Sequence, residues 1–220
     1  MNFFLWFIDQ EFRELKEYSS VMEQACTRHL EDLQAWFDQE MADLDEGAKS
    51  DFAALHEEHW DRAAVIFPQV LRASLFVACH SLLEVKLDEL CRSCKRDMKL
   101  DLSLSDLKGQ GVPRSHAYIK KVARVECTDK SFAWSIVSSL TSVRNVVVHM
   151  RGKLTDNKPS LAAREFAKTH PDLISSIGDR DRLEMSDKFC PFVIETYRQL
   201  LKALALAVAK PGELPARDVE

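Results

Sequence analysis

Glycine and proline are scarce in this chain, with 6 and 7 copies among 220 residues, and tyrosine occurs only 3 times. A turn-rich sheet protein needs more of these residues, so that class is disfavoured. The sequence also has no glycine-rich phosphate loop, no internal repeat and no low-complexity block, which excludes P-loop nucleotide chemistry and solenoid arrays. What remains is 46% hydrophobic and 30% charged, the balance of a soluble domain long enough to bury a substantial core. Abundant Leu, Ala, Glu and Lys make an all-α fold the expectation.

Signals for export, membranes and metals are equally thin. The apolar run Phe3 to Ile8 is too short to span a bilayer and is followed at once by Asp9 and Glu11, so it reads as neither a signal peptide nor a span. The six cysteines (Cys26, Cys79, Cys91, Cys94, Cys127, Cys190) lie mostly inside apolar helical patterns, and reduced thiols in the cytoplasm are expected. Cys91 and Cys94 have metal-ligand spacing, with Cys127 and His116 as completing ligands, but no second close pair supports a zinc site. His56-Glu57-Glu58-His59 sets its histidines three apart, where a zincin helix needs four. No metal or cofactor is expected.

The formal charge of −5 hides an asymmetry. Residues 1–60 carry 15 acidic and 4 basic side chains, whereas residues 61–220 carry 20 acidic and 26 basic. The basic part is suited to nucleic acid, and the acidic part to contacting a partner or shielding that same surface.

Apolar positions from Ile8 through Phe12, Leu15, Met22, Cys26, Leu30, Leu33, Phe37 and Met41 to Leu44, with Ser19 in the one gap, recur every 3.6 residues. They predict an amphipathic helix of about 60 Å. Its stripe requires a cover, whether the body of the same chain, a second chain or a groove on another protein. Gly47 and Ser50-Asp51 predict a stop and a new N-cap, and Pro68 a kink or a fresh helix start. Residues 70–85 are apolar nearly all round and predict the most buried helix, in which His80 reads as a satisfied core histidine. Residues 101–113 form a connector with one helical turn, followed by a short basic helix bearing Lys120, Lys121 and Arg124. A helix from Ser131 leads to Arg144 and His149, then a polar loop, a small hairpin within 173–185, and a helix from Ser186 to Ala209. The expected units are an acidic extension (1–66), a helical bundle (67–210) and a tail (211–220).

The strongest functional signal is Arg144-Asn145-Val146-Val147-Val148-His149, with Gly152 following. Arginine offers a planar fork of donors to a phosphate, while histidine, ionising near about pH 6.5, exchanges protons at neutral pH. That pair suits RNA, whose 2′-hydroxyl is a built-in nucleophile. One histidine per chain is too few for both an acid and a base, so the chemistry calls for a symmetric dimer that brings two copies together.

The segment resembles the defining motif of the HEPN superfamily: Arg, a polar residue, a few variable residues, then His. The likeness extends diffusely over residues 67–209, through the helix ending Leu82-Leu83-Glu84-Val85-Lys86-Leu87-Asp88-Glu89-Leu90-Cys91 and the closing helix. It implies an up-and-down helical bundle with the acidic helices as an elaboration. It also implies a metal-independent endoribonuclease working as a homodimer, in a toxin–antitoxin or antiviral defence setting with an antitoxin or defence partner protein. Arg144 would stabilise the scissile phosphate, Asn145 orient the histidine or RNA, and His149 transfer protons. Arg151 and Lys153, by charge and proximity, join Lys120, Lys121 and Arg124 as candidate RNA contacts. Other superfamily members keep the bundle as a non-catalytic scaffold, which is the alternative reading here.

Overall fold

A computed structural model describes residues 2–125, 132–177 and 181–209. Cys127, Ser131, the turn residues Gly178 to Arg180 and the tail from residue 211 lie outside the described residues. The helices are α1 (Asn2–Met41), α2 (Glu46–Asp61), α3 (Phe67–Asp97), α4 (Gly111–Lys121), α5 (Phe132–Met150), α6 (Lys158–Thr169) and α7 (Phe189–Ala209). Strands β1 (Ile174–Ile177) and β2 (Arg182–Met185) pair antiparallel, with Ile174 opposite Met185. The fold is therefore an all-α bundle with one short hairpin, as composition and periodicity predict.

The core lies between α3 and α7. Leu75, Phe76, Cys79, Leu83, Leu87 and Leu90 form the buried side of α3, and Phe189, Val193, Tyr197, Leu200 and Leu204 that of α7. The first half of α1 closes this core from one side, burying Ile8 and Phe12 completely. Ion pairs pin it: Asp9 meets Arg198 at 2.9 Å and Lys202 at 2.7 Å, Glu11 meets Lys86 at 2.8 Å, and Glu23 grips Arg72 through two 2.7 Å bonds. Those two cations hold Asp9 below the ordinary carboxylate range, the Lys202 hydrogen bond contributing most.

The second half of α1 departs from the body and leans on α2. Phe37 is buried there, in a knot of rings with Trp36, Phe52, His56 and Trp60 whose centroids lie 4.4 to 5.8 Å apart. No residue of α2 itself is buried. The predicted stripe from Ile8 to Leu44 thus serves two purposes, core for the first half and an arm for the second.

Local chemistry shifts several boundaries. The N-cap of α2 is Asp45, whose carboxylate accepts from the Ala48 amide at 2.9 Å, so Gly47 sits in the first turn and Ser50-Asp51 lie within the helix. Pro68 cannot donate to the carbonyl four residues back, and the chain absorbs this by widening into a π-helical turn at Arg62–Ile66, with the Phe67 amide bonding to Arg62. The result is one continuous helix from residue 46 to 97, in which the expected boundary at 66 falls. Among the described residues it alone is long and apolar enough to cross a membrane by length and composition, a test that core helices of soluble proteins also pass. The segment read as a polar loop contains α6, capped by Asn157 accepting from the Ser160 amide at 2.9 Å and burying Ala163, Phe166 and Ala167.

The expectation that α3 is buried all round needs correction. Phe67, Val70, Ser74, Ala78, Ser81 and Val85 form an exposed stripe along it, spanning about 27 Å at 1.5 Å per residue. The charged residues Arg72 and Lys86 are instead turned inward to meet α1. This arrangement inverts the usual surface helix, whose charges face water.

If α1 contributes core rather than decoration, Phe12→Ala should lower the unfolding free energy by about 3–5 kcal/mol. Leu55→Ala on the arm, where the side chain is exposed, should change it by less than about 0.5 kcal/mol. Urea unfolding of both variants checks this, and equal effects would contradict the division of α1.

Candidate functional site at the end of α5

Helix α5 has two faces of different chemistry. Ile136, Val137, Leu140, Val143 and Val146 are buried, while Ser135, Ser138, Ser142, Asn145 and His149 follow each other at steps of three and four along the opposite side. Hydroxyls near this stripe bond back to their own helix: Ser139 to the Ser135 carbonyl at 3.2 Å, Thr141 to Val137 at 2.8 Å, and Ser142 to Ser138 at 3.3 Å. These internal bonds leave a smooth face of small side chains with little need for water. His149 stands exposed at its end, with no hydrogen bond or ion pair among the described residues.

The helix exit is fastened by the hairpin. Arg151 and Gly152 take positive φ values of 51° and 80°, and the Gly152 amide reaches back to the Val146 carbonyl at 3.1 Å. Arg182 of β2 donates twice to the Arg151 carbonyl, at 3.0 and 2.8 Å, and the Leu183 amide bonds to the Gly152 carbonyl at 3.0 Å. Asp181 ties the hairpin to α6 through a two-pronged pair with Arg164 at 2.7 and 2.6 Å. Met185 is clasped by Gln69 and Arg72 of α3. Arg151, Lys153 and Arg182 are consequently brought together just beyond His149.

Arg144 points elsewhere. Five residues of α-helix turn about 140°, so Arg144 and His149 do not share a face. The arginine is half-buried, its Nη1 donating to Asn145 Oδ1 at 3.2 Å and its Nε buried with no hydrogen-bond partner. Its charge acts on two fully buried side chains, His80 and Tyr197, which bond through Nδ1 and the phenolic oxygen at 2.8 Å. His80 Nε2 lies 3.7 Å from Glu84 Oε1. Gly111, with φ at +57°, makes room for that carboxylate, since a Cβ there would come within 2.5 Å of Glu84 Oε1. His80 is thus a satisfied core histidine, as its apolar surroundings predict, yet it borders the motif arginine.

The other predicted cations lie apart. His116 of α4 stacks on Trp134 at the start of α5, with ring centroids 4.0 Å apart. Lys120 is one turn past His116, with Lys121 and Arg124 following, all exposed. From Trp134 to His149 the helix runs about 22 Å. The site therefore unites Arg144, Asn145, His149, Arg151 and Lys153, but not Lys120, Lys121 and Arg124. Arg182, Glu84 and Tyr197 escape sequence reasoning because nothing in their spacing links them to residue 144.

Cys91 and Cys94 are buried inside α3, where burial pushes their thiols up to about 12 and about 11. The Cys91 thiol donates to the Ser115 carbonyl at 3.8 Å. Among the described residues no three His, Cys, Asp or Glu side chains gather to hold a metal ion. His116 belongs to the Trp134 stack, and His56 to the ring knot of the arm.

No family model, curated protein or solved structure matches the chain. What the site can do must be read from its own groups: an exposed imidazole, an amide one turn before it, a flanking patch of cations, and a guanidinium held at the side.

Burial, with the Arg144 charge adding to it, pushes His80 from 6.5 down to about 4. Between those values the unfolded chain binds a proton that the fold refuses. Stability is therefore intact above about pH 6.5 and falls by about 3 kcal/mol as the pH drops to about 4. Urea unfolding across that window should show the loss, and His80→Gln should flatten it. Equal slopes in the two proteins would mean that His80 is charged in the fold.

Proposed function

We propose that the protein is a metal-independent endoribonuclease of HEPN type, acting on RNA as a cytoplasmic homodimer within a toxin or antiviral defence system. The observation that carries this reading is the helix face ending in Asn145 and His149, uncharged along its length and beside the bare stripe-bearing helix α3. A second copy meeting this face would bring two His149 imidazoles together without burying repelling charges.

In that composite cleft one imidazole takes the proton of the RNA 2′-hydroxyl as its oxygen attacks the adjacent phosphorus. The other gives a proton to the departing 5′-oxygen. Arg144 steadies the phosphate charge, and Arg151, Lys153 and Arg182 draw in the strand. The products are a 2′,3′-cyclic phosphate and a 5′-hydroxyl, and DNA resists for want of the nucleophile. The acidic arm, far from this chemistry in character, is offered to an antitoxin or defence partner.

The expected result is RNA cleavage that survives EDTA, varies with pH across neutrality, and falls at least about 10²-fold in His149→Ala or Arg144→Ala. End-group analysis of the fragments and light scattering of the protein test the two halves of the reading. Undiminished cleavage by folded His149→Ala protein, loss of cleavage in EDTA, or a stable monomer would overturn it. A second reading, a non-catalytic HEPN scaffold, is favoured by one observation: Arg144 faces inward, away from His149. It becomes the better account if no RNA is cut with partner proteins removed.

A further inference from the structure

The arginines that reach into this protein fall into two groups. Arg72, Arg164 and Arg198 each grip carboxylates at 2.6 to 3.0 Å, and Arg114 lies 3.8 Å from Asp88. Arg144 differs, because among the described residues no carboxylate stands within 4.0 Å of its guanidinium. Its nearest polar company is neutral, the buried pair His80 and Tyr197, while the Glu84 carboxylate faces His80.

We propose that His80 and Tyr197, backed by Glu84, are positioning residues that seat the inner edge of the Arg144 guanidinium and leave its outer edge free for a phosphate beside Asn145. The proposal deepens the nuclease reading, since it rests on Arg144 as the phosphate-binding group. A long arginine side chain loses about 2 kcal/mol of rotamer entropy when fixed. A carboxylate fork would fix it but would also spend its charge, as happens at Arg72 and Arg164. A neutral imidazole and phenol confine the side chain while leaving the full positive charge for a ligand. The buried, unpartnered Nε fits a seat built for placement rather than for neutralisation. Gly111 completes the arrangement by giving Glu84 its place beside α4, so that the carboxylate engages the imidazole side of the seat.

Tyr197→Phe keeps the ring and removes only the hydroxyl. Beside it stand Arg144→Lys and the double variant, all checked for native circular dichroism. On RNA, Tyr197→Phe should lower kcat by about 10-fold with KM changed by less than about 2-fold, and it should add no further loss in the Arg144→Lys background. An equal loss in both backgrounds would show that the tyrosine acts through general stability and would overturn the seat. Should Tyr197→Phe fail to fold, His80→Gln carries the same comparison.

A readout independent of RNA separates this proposal from the function it rests on. In protein labelled with 15N-arginine, the Nε–H signal that disappears in Arg144→Lys should be sharp and slow to exchange in the parent protein. It should shift and broaden in Tyr197→Phe. An unchanged signal refutes the seat even if RNA is cut. A changed signal in a protein that cuts no RNA upholds the seat and refutes the nuclease.

Discussion

Packing one side of α3 against α7 decides where every other element can go. Leu75, Phe76, Leu83 and Leu87 take the sector facing α7, with Phe76 and Phe189 meeting edge to face at 5.0 Å. The first half of α1 must then settle where α3 offers cations, and the pairs Glu23–Arg72 and Glu11–Lys86 mark its track. On the other flank, His80 and Glu84 leave room only for polar company, which α4 supplies with Gly111 and α5 with Arg144. All of the helix's polar side chains with long reach are thereby committed to neighbours. The remaining sector, from Phe67 to Val85, is left with apolar and hydroxyl groups alone. Such a face loses free energy in water at about 25 cal/mol per Å² of apolar surface that a second chain would cover. This is the physical reason the proposed dimer is drawn along α3 and α5.

The hairpin is too short to be stable by itself, yet it governs the site. Its strand β2 is clasped by Gln69 and Arg72 from α3, and its arginine clasps the chain leaving α5. The exit residues adopt left-handed backbone, which a free chain end would not hold at a non-glycine position such as Arg151. The cations past His149 are therefore fixed by a structure that begins some thirty residues later. Rigidity at the exit and exposure at His149 together give a side chain that can move on a support that does not.

Periodicity made much of this legible. The 3.6-residue recurrence from Ile8 gave α1 and its core residues Ile8 and Phe12, and the switch to short alternating segments around Gly178 gave the hairpin. Caps were harder, since Asp45, Ser50 and Asp51 all satisfy the composition rule and only the Ala48 amide chooses among them. Helix α6 was hidden because its stripe uses small residues, Ser160 and Ala163, before Phe166 declares it. The one-sided burial of α3 was not readable at all, because an apolar residue looks the same whether its cover comes from its own chain or another. The contacts among His80, Tyr197 and Arg144 join positions 53 to 117 residues apart in sequence, and no local pattern carries that information.

The question that divides nuclease from scaffold is what Arg144 is kept for. A scaffold arginine at a helix contact gains most by pairing with a carboxylate, and this chain does so repeatedly, at Arg72, Arg164 and Arg198. A half-buried guanidinium held by neutral groups forgoes that stabilisation, and leaves its Nε without a partner at a cost of about 1–3 kcal/mol. Such a loss is tolerated where an unspent charge is useful, which is the common condition of sites that bind anions. The inward direction of the side chain then ceases to be an objection. A guanidinium at the flank of α5 and an imidazole on its outer face bracket the edge of the helix, and a phosphate lying over Asn145 on that edge lies between the charge that steadies it and the group that moves its protons.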